Sequence, residues 1–160
     1  MKAVFIGTVE FSYQLLNVVI GIPEVEIVGI VTKQESSFNA DFRDLAEVGK
    51  THSIPYLYVS DVNAPKTLQW IRKLEPDVIF CFGWSSLIKK ELLELAPKGV
   101  IGYHPAALPQ NRGRHPIIWA LALGLHETAS TFFRMDEGAD SGDIICQDFI
   151  KINEKQKRYR

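Results

Sequence analysis

Two segments hold most of the residues able to do chemistry. The first is Gly102-Tyr103-His104-Pro105-Ala106-Ala107-Leu108-Pro109-Gln110-Asn111-Arg112-Gly113-Arg114-His115-Pro116. It carries two histidines and two arginines, in a loop stiffened by proline. The second is Met135-Asp136-Glu137-Gly138-Ala139-Asp140-Ser141-Gly142-Asp143-Ile144, with four acids and two glycines between apolar runs. A histidine in a rigid loop, facing a carboxylate from another strand end, is a layout for general acid–base work. The carboxylate would orient the imidazole and support its charged form. The residues alone also fit a plainer reading, a loop histidine bonded to backbone beside a solvated acidic turn.

Other chemistries lack their residues. The opening strand runs into Gly7-Thr8-Val9-Glu10-Phe11 and not into G-x-G-x-x-G. The glycines that cradle a pyrophosphate are missing, and Glu10 would repel one. Neither a P-loop nor a G-x-S-x-G elbow occurs. The histidines at 52, 104, 115 and 126 do not form H-E-x-x-H, and no cysteine pair joins them, so no metal is expected. Cys81 and Cys146 lie in apolar runs and read as reduced core thiols.

These segments must be positioned by elements that alternate in type. Ala3–Ile6, Val25–Val31, Tyr56–Val59, Val78–Phe82, Val100–Tyr103, Ser130–Met135 and Ile144–Ile150 read as strands. Helical spacing follows in 11–19, 42–48 and 89–95. Another helix starts at Asn63-Ala64-Pro65, with Asn63 as capping side chain and proline early. Pro116–Leu123 is apolar nearly all round and predicts a buried helix. Gln34–Asn39 reads as a polar loop. Such alternation predicts an α/β fold, a mostly parallel sheet with helices on both faces. Ligands then sit at the carboxyl ends of the strands.

The quoted residues resemble the signature of the folate-dependent formyltransferases. That group includes methionyl-tRNA formyltransferase, glycinamide ribonucleotide formyltransferase and nucleotide-sugar N-formyltransferases. His104, Leu108-Pro109, Arg112-Gly113 and Asp140-Ser141-Gly142-Asp143-Ile144 match in order and at fitting spacing. Phe5-Ile6-Gly7-Thr8 with Phe11 is similar to the family's first strand and turn. The resemblance implies a Rossmann-like formyltransferase N-terminal domain. It also implies transfer of a formyl group from 10-formyltetrahydrofolate, as co-substrate, to an amine.

Under that resemblance His104 manages the amine proton and Asp140 holds the imidazole. The folate contacts carry over to Ser86, Leu87 and Ile88, and to Asp136, Glu137, Gly138, Ala139 and Asp140. Arg114 falls in the segment that reaches cofactor or substrate. One position departs: the family's asparagine, two residues before the histidine, is Gly102 here. Glycine has no side chain to donate to an oxyanion. Loss of one such donor costs on the order of 10²–10³ in rate. Either another donor serves (Asn111, protonated His104, a backbone N–H), or the protein is a weakly active or inactive folate-binding remnant. Arg112 completes the substrate or oxyanion candidates.

Arg112-Gly113-Arg114-His115-Pro116 with Trp119 resembles the loop of sugar N-formyltransferases more than that of the tRNA-acting members. Charge agrees. The last ten residues hold five basic groups and one acid, so the first 150 hold 13 basic and 18 acidic, a balance of −5. That is no footprint for nucleic acid. The expected amine is therefore on a nucleotide-linked amino sugar, with a methionyl-tRNA formyltransferase-like enzyme as the alternative. Residues 1–150 read as the catalytic domain, truncated or minimal, and 151–160 as a polar basic tail. A missing segment would leave apolar surface and favour a homodimer. With 46% hydrophobic and 23% charged residues, no apolar run of ~20 and no secretory signal, the sequence predicts a cytoplasmic protein without a membrane partner.

Overall fold

The computed structural model describes residues 1–37 and 40–153. In chain order the elements are β1 (Lys2–Ile6), α1 (Glu10–Ile20), β2 (Glu26–Thr32), α2 (Ala46–His52), β3 (Tyr56–Tyr58) and α3 (Pro65–Lys73). They continue as β4 (Val78–Cys81), α4 (Lys90–Leu93), β5 (Val100–His104), α5 (Pro116–Ala122), β6 (Glu127–Arg134) and β7 (Ile144–Lys151). The seven strands form a sheet in the order β3-β2-β1-β4-β5-β6-β7. The pairings of β1 with β2, β1 with β4 and β2 with β3 are parallel, and β6 with β7 is antiparallel. The expected mostly parallel α/β sheet is therefore present. No helix among the described residues is long and apolar enough to cross a membrane.

Two compact units divide the chain, Met1–Ile101 and the residues from Gly102 onward. In the first, β1 is central because Ala3, Val4, Phe5 and Ile6 are wholly buried. Such continuous apolar runs suit strands covered on both faces. At the amino end, Lys2 donates its N–H to Asp77 Oδ2 (2.7 Å) and Asp77 returns its N–H to Lys2 O (2.9 Å). This exchange sets the β1–β4 register. At the carboxyl end, Ser12 donates its hydroxyl to Phe82 O and Thr8 donates to Gly83 O (3.0 Å). The loops after β1 and β4 are thereby tied side by side. α1 buries Ser12, Leu16 and Val19, spaced for one helical face.

Asn63 does not cap α3. Ala64 occupies that position, and the Asn63 amide donates to Leu87 O (2.9 Å) while its oxygen accepts from Lys89 N (2.8 Å). A side chain that reads as a cap thus anchors the loop after β4. The capping reading fails because Pro65 has no N–H to offer and a tertiary pair was available.

In the second unit, β6 buries Ala129, Thr131 and Phe133 in strict alternation. Two expectations are corrected here. The helix at 116–122 is not buried: Ile117, Ile118 and Trp119 are each more than half exposed, as is Leu123 beyond it, and only Ala120 is covered. An apolar sequence reports what a helix could bury, not whether a neighbour exists to cover it. Cys146 is likewise not a core thiol but is exposed on β7, the last strand in the order. Of the polar loop at 34–39, Phe38 and Asn39 lie outside the described residues, as do 154–160 of the basic tail.

Cys81 is buried, and burial pushes its thiol up to about 12. Thiolate is the reactive form, so this cysteine should be inert near neutrality. In a Cys146→Ser background, Cys81 should react with a disulfide reagent only at the rate of global opening. Absorbance of the released thiolate, followed with and without denaturant, checks this.

Candidate active site

His104 ends β5 with a side chain that is only 7% exposed. Its Nε2 lies 2.9 Å from the carbonyl oxygen of Asn111, and its Nδ1 lies 3.6 Å from Asp140 Oδ2. A carbonyl only accepts, so Nε2 carries a proton and donates it. In the neutral ring Nδ1 then bears a lone pair and faces the carboxylate. A proton arriving at Nδ1 would sit between ring and carboxylate, and both ring nitrogens would face acceptors.

The loop around the ring is held by backbone groups. Asp140 Oδ2 also accepts the N–H of Gly113 (2.9 Å), which ties the 105–115 loop to the acidic turn. Thr131 donates its hydroxyl to Ala106 O (2.7 Å), and Gln147 Nε2 donates to Leu108 O (3.1 Å) and Thr131 Oγ1 (2.9 Å). Asn111, His115 and Asp140 all take left-handed backbone conformations, with φ between 53° and 56°. Residues held in such regions cluster where surrounding structure over-determines them. Thr131 and Gln147 were not legible as site residues. The only signal was polar side chains in otherwise apolar strands.

The acidic turn has its own scaffold. Asp136 Oδ1 accepts from Gly138 N (2.9 Å) and from the Ser141 hydroxyl. A Cβ at Gly142 would sit 1.6 Å from the Arg134 carbonyl oxygen, so only glycine lets the turn close over the end of β6. Glu137, Gly138 and Ala139 are exposed.

Asn111, Arg112 and Arg114 are exposed in the loop after β5, and Arg112 acts on the charge of Asp136. In the first unit, Ser86 and Leu87 are exposed and Ile88 is buried, with Leu87 O held by Asn63. Among the described residues no group of three or more His, Cys, Asp or Glu could hold a metal ion.

Gly102 shares its side of β5 with His104, two residues on. A Cβ there would lie 2.8 Å from Met135 Cγ, 3.0 Å from its sulfur and 3.1 Å from Phe133 Cζ. Met135 and Phe133 thus fill the space that a side chain at 102 would need. The departure at 102 comes with a compensating thioether.

A family model described as formyl transferase matches residues 1–159. The chain belongs to the formyl transferase family. Methionyl-tRNA formyltransferase of Kosmotoga olearia is 31% identical over 157 residues, which cover 96% of this chain and 50% of that protein. The chain therefore spans about half the length of this curated relative. Among solved structures, phosphoribosylglycinamide formyltransferase from Bacillus halodurans aligns with a TM-score of 0.80 at 21% identity, covering 97% of this chain and 82% of that one. WlaRD, a sugar 3N-formyl transferase in the presence of dTDP and 5-N-formyl-THF, gives 0.69 at 17% identity, covering 96% and 53%. The structural likenesses establish the Rossmann-like formyl transferase fold.

Two predictions follow from the packing of this formyl transferase chain. Gly102→Asn alone should destabilise it by ~1–3 kcal/mol through overpacking against Met135. Adding Met135→Ala should recover most of that loss, as read by denaturant midpoints of the single and double variants. The second concerns acid. The Ser141 hydroxyl and Gly138 N–H hold the Asp136 carboxyl below its ordinary value of 3.8. A depressed folded value adds stability that is complete above the ordinary value and is lost as pH falls through the lower folded one. The protection of the 138–141 amides, their exchange rate relative to the free-peptide rate at the same pH, should therefore fall only below pH 3.8. Asp136→Asn should show the lower protection already at neutral pH.

Proposed function

We propose that the chain transfers a formyl group from 10-formyltetrahydrofolate to the amine of a nucleotide-linked amino sugar. The observation that carries the reading is the buried His104, donating through Nε2 to Asn111 O with Nδ1 turned to Asp140. 10-Formyltetrahydrofolate supplies the formyl group. His104 Nδ1 takes the proton that the attacking amine must lose and returns it to the folate nitrogen as the C–N bond between that nitrogen and the formyl carbon breaks. Asp140 stabilises the resulting imidazolium and keeps the ring from turning. Since Gly102 has no donor, the oxyanion falls to other groups. The exposed Asn111 side chain, Arg112, backbone N–H groups and the imidazolium itself are the candidates.

The residues present fit a folate. The turn at 136–140, exposed at residues 136–139, offers backbone groups to read the polar edge of a pterin. In the first unit, Leu87 offers an exposed apolar side chain beside exposed Ser86, over buried Ile88. Each is proposed by itself as a folate contact, and Arg114 as a contact to cofactor or substrate. Residues 1–150 are read as the catalytic domain.

Support for a sugar substrate comes from the Arg112-Gly113-Arg114 loop with Trp119, from the −5 balance of the first 150 residues, and from the sugar 3N-formyl transferase neighbour. The 31% identity to a methionyl-tRNA formyltransferase favours a tRNA-charged amine as the second reading. Gly102 under Met135 favours a third, a folate-binding protein of low activity.

The test is formyl transfer to a panel of nucleotide amino sugars and to charged initiator tRNA. His104→Ala should lower kcat by ~10²–10⁴-fold, the usual worth of positioned acid–base catalysis. Asp140→Asn keeps an acceptor for Gly113 N–H but removes the charge, and should lower kcat more than it changes KM. Turnover untouched by both variants would reject the assigned roles. Salt-dependent binding and formylation of the tRNA alone would select the second reading. Folate binding in calorimetry without transfer to any amine would select the third.

A further inference from the structure

β7 turns one residue under, and it is a polar one. Every other residue of the strand is exposed, the apolar Ile144, Ile145, Phe149 and Ile150 included, whereas Gln147 is half-buried. Gln147 stands opposite Thr131 of β6. Apolar packing therefore does not explain which side chain of β7 is covered.

Its hydrogen bonds do. Gln147 Nε2 lies 3.1 Å from Leu108 O and 2.9 Å from Thr131 Oγ1, and Thr131 Oγ1 lies 2.7 Å from Ala106 O. A carbonyl only accepts, so the wholly buried Thr131 hydroxyl spends its one proton on Ala106 and can only accept from Gln147. Both N–H groups of the amide are thereby committed. The direction of this relay is fixed, and a side chain without two such donors cannot complete it.

The relay ends on the loop that carries a partner of the imidazole. Ala106 O also accepts the N–H of Leu108 (2.9 Å), and Ala107 O accepts that of Gln110 (3.0 Å). The next residue, Asn111, is left-handed (φ 55°), and its carbonyl oxygen lies 2.9 Å from His104 Nε2. The two ring nitrogens thus have separate keepers. Asp140 stands by Nδ1, and Gln147 holds the loop that brings a carbonyl to Nε2. Without that carbonyl, the proton of the neutral ring would move to Nδ1, where the carboxylate accepts it, and the lone pair would pass to Nε2.

We propose that Gln147 is a positioning residue. Through Leu108 O and Thr131 it keeps Asn111 O on His104 Nε2, and so keeps the lone pair of the neutral ring at Nδ1. Its effect on turnover rests on the reading of His104 as the base, whereas its effect on where the proton sits does not.

Long-range proton–nitrogen correlation NMR of the full chain, with labelled histidine, reads which ring nitrogen carries the proton. His104→Ala identifies the signals. The neutral ring of the parent should carry its proton on Nε2. Gln147→Met, similar in length but without donors, should move the ratio of the two forms ~10-fold toward Nδ1, the worth of one or two hydrogen bonds. Thr131→Val should move it the same way, and Thr131→Ser, which restores the hydroxyl, should return the parent spectrum. With the panel of nucleotide amino sugars, Gln147→Met should lower kcat ~10-fold and leave KM within ~2-fold. Parent-like His104 signals in a Gln147→Met protein of unchanged circular dichroism would overturn the proposal, whatever the turnover. A parent ring with its proton on Nδ1 would overturn it too. Should Gln147→Met not fold, the Thr131→Val and Thr131→Ser spectra decide, and two parent-like spectra would overturn it. A moved proton with unchanged kcat would uphold the positioning and reject His104 as the base.

Discussion

One carboxylate oxygen organises the second unit. Asp140 Oδ2 accepts the N–H of Gly113 and stands 3.6 Å from the His104 ring. The loop after β5 and the turn before β7 are therefore not independent: each is placed by the other through a single atom. With Nε2 committed to Asn111 O, the ring nitrogen that faces the acid is Nδ1. Remove the carboxylate and the ring keeps only its carbonyl partner.

Around this pair the architecture is conservative in its means. β5 delivers His104 at its carboxyl end, where open α/β sheets present ligands. β6 supplies Thr131, and β7 supplies Gln147, to pin the carbonyls of Ala106 and Leu108. In the first unit the same device recurs. Ser12 and Thr8 hold the carbonyls of Phe82 and Gly83, and Asn63 holds that of Leu87. Loops at the carboxyl ends are stitched by side chains to backbone oxygens.

The sequence was most legible where residue type carries the information. His104 was legible because imidazoles are few, and Asp140, one of four acids in its segment, was singled out by the resemblance of Asp140-Ser141-Gly142-Asp143-Ile144. The strands were legible from their β-branched runs. What escaped was whatever depends on backbone acceptors, since every residue has a carbonyl and none advertises which one is used. Asn111 entered as a side-chain donor, yet its observed contact with His104 is through its main chain. Asn63 resembled a cap and became a loop anchor. Helix 116–122 and Cys146 were read as buried because apolar patterning measures a tendency to be covered, and coverage depends on neighbours. Gly102 stood out as a departure, but its explanation, a thioether 33 residues later along the chain, is a matter of volume that spacing does not encode.

The closure at Gly142 has a bearing on how such a protein can change over generations. No side chain of any kind fits beneath the Arg134 carbonyl, so that backbone path is inherited unaltered or the turn is lost. The exposed residues before it, Glu137 and Ala139, meet no such wall. Side chains on that rim can therefore be exchanged while the backbone that carries Asp140 to the His104 ring stays put.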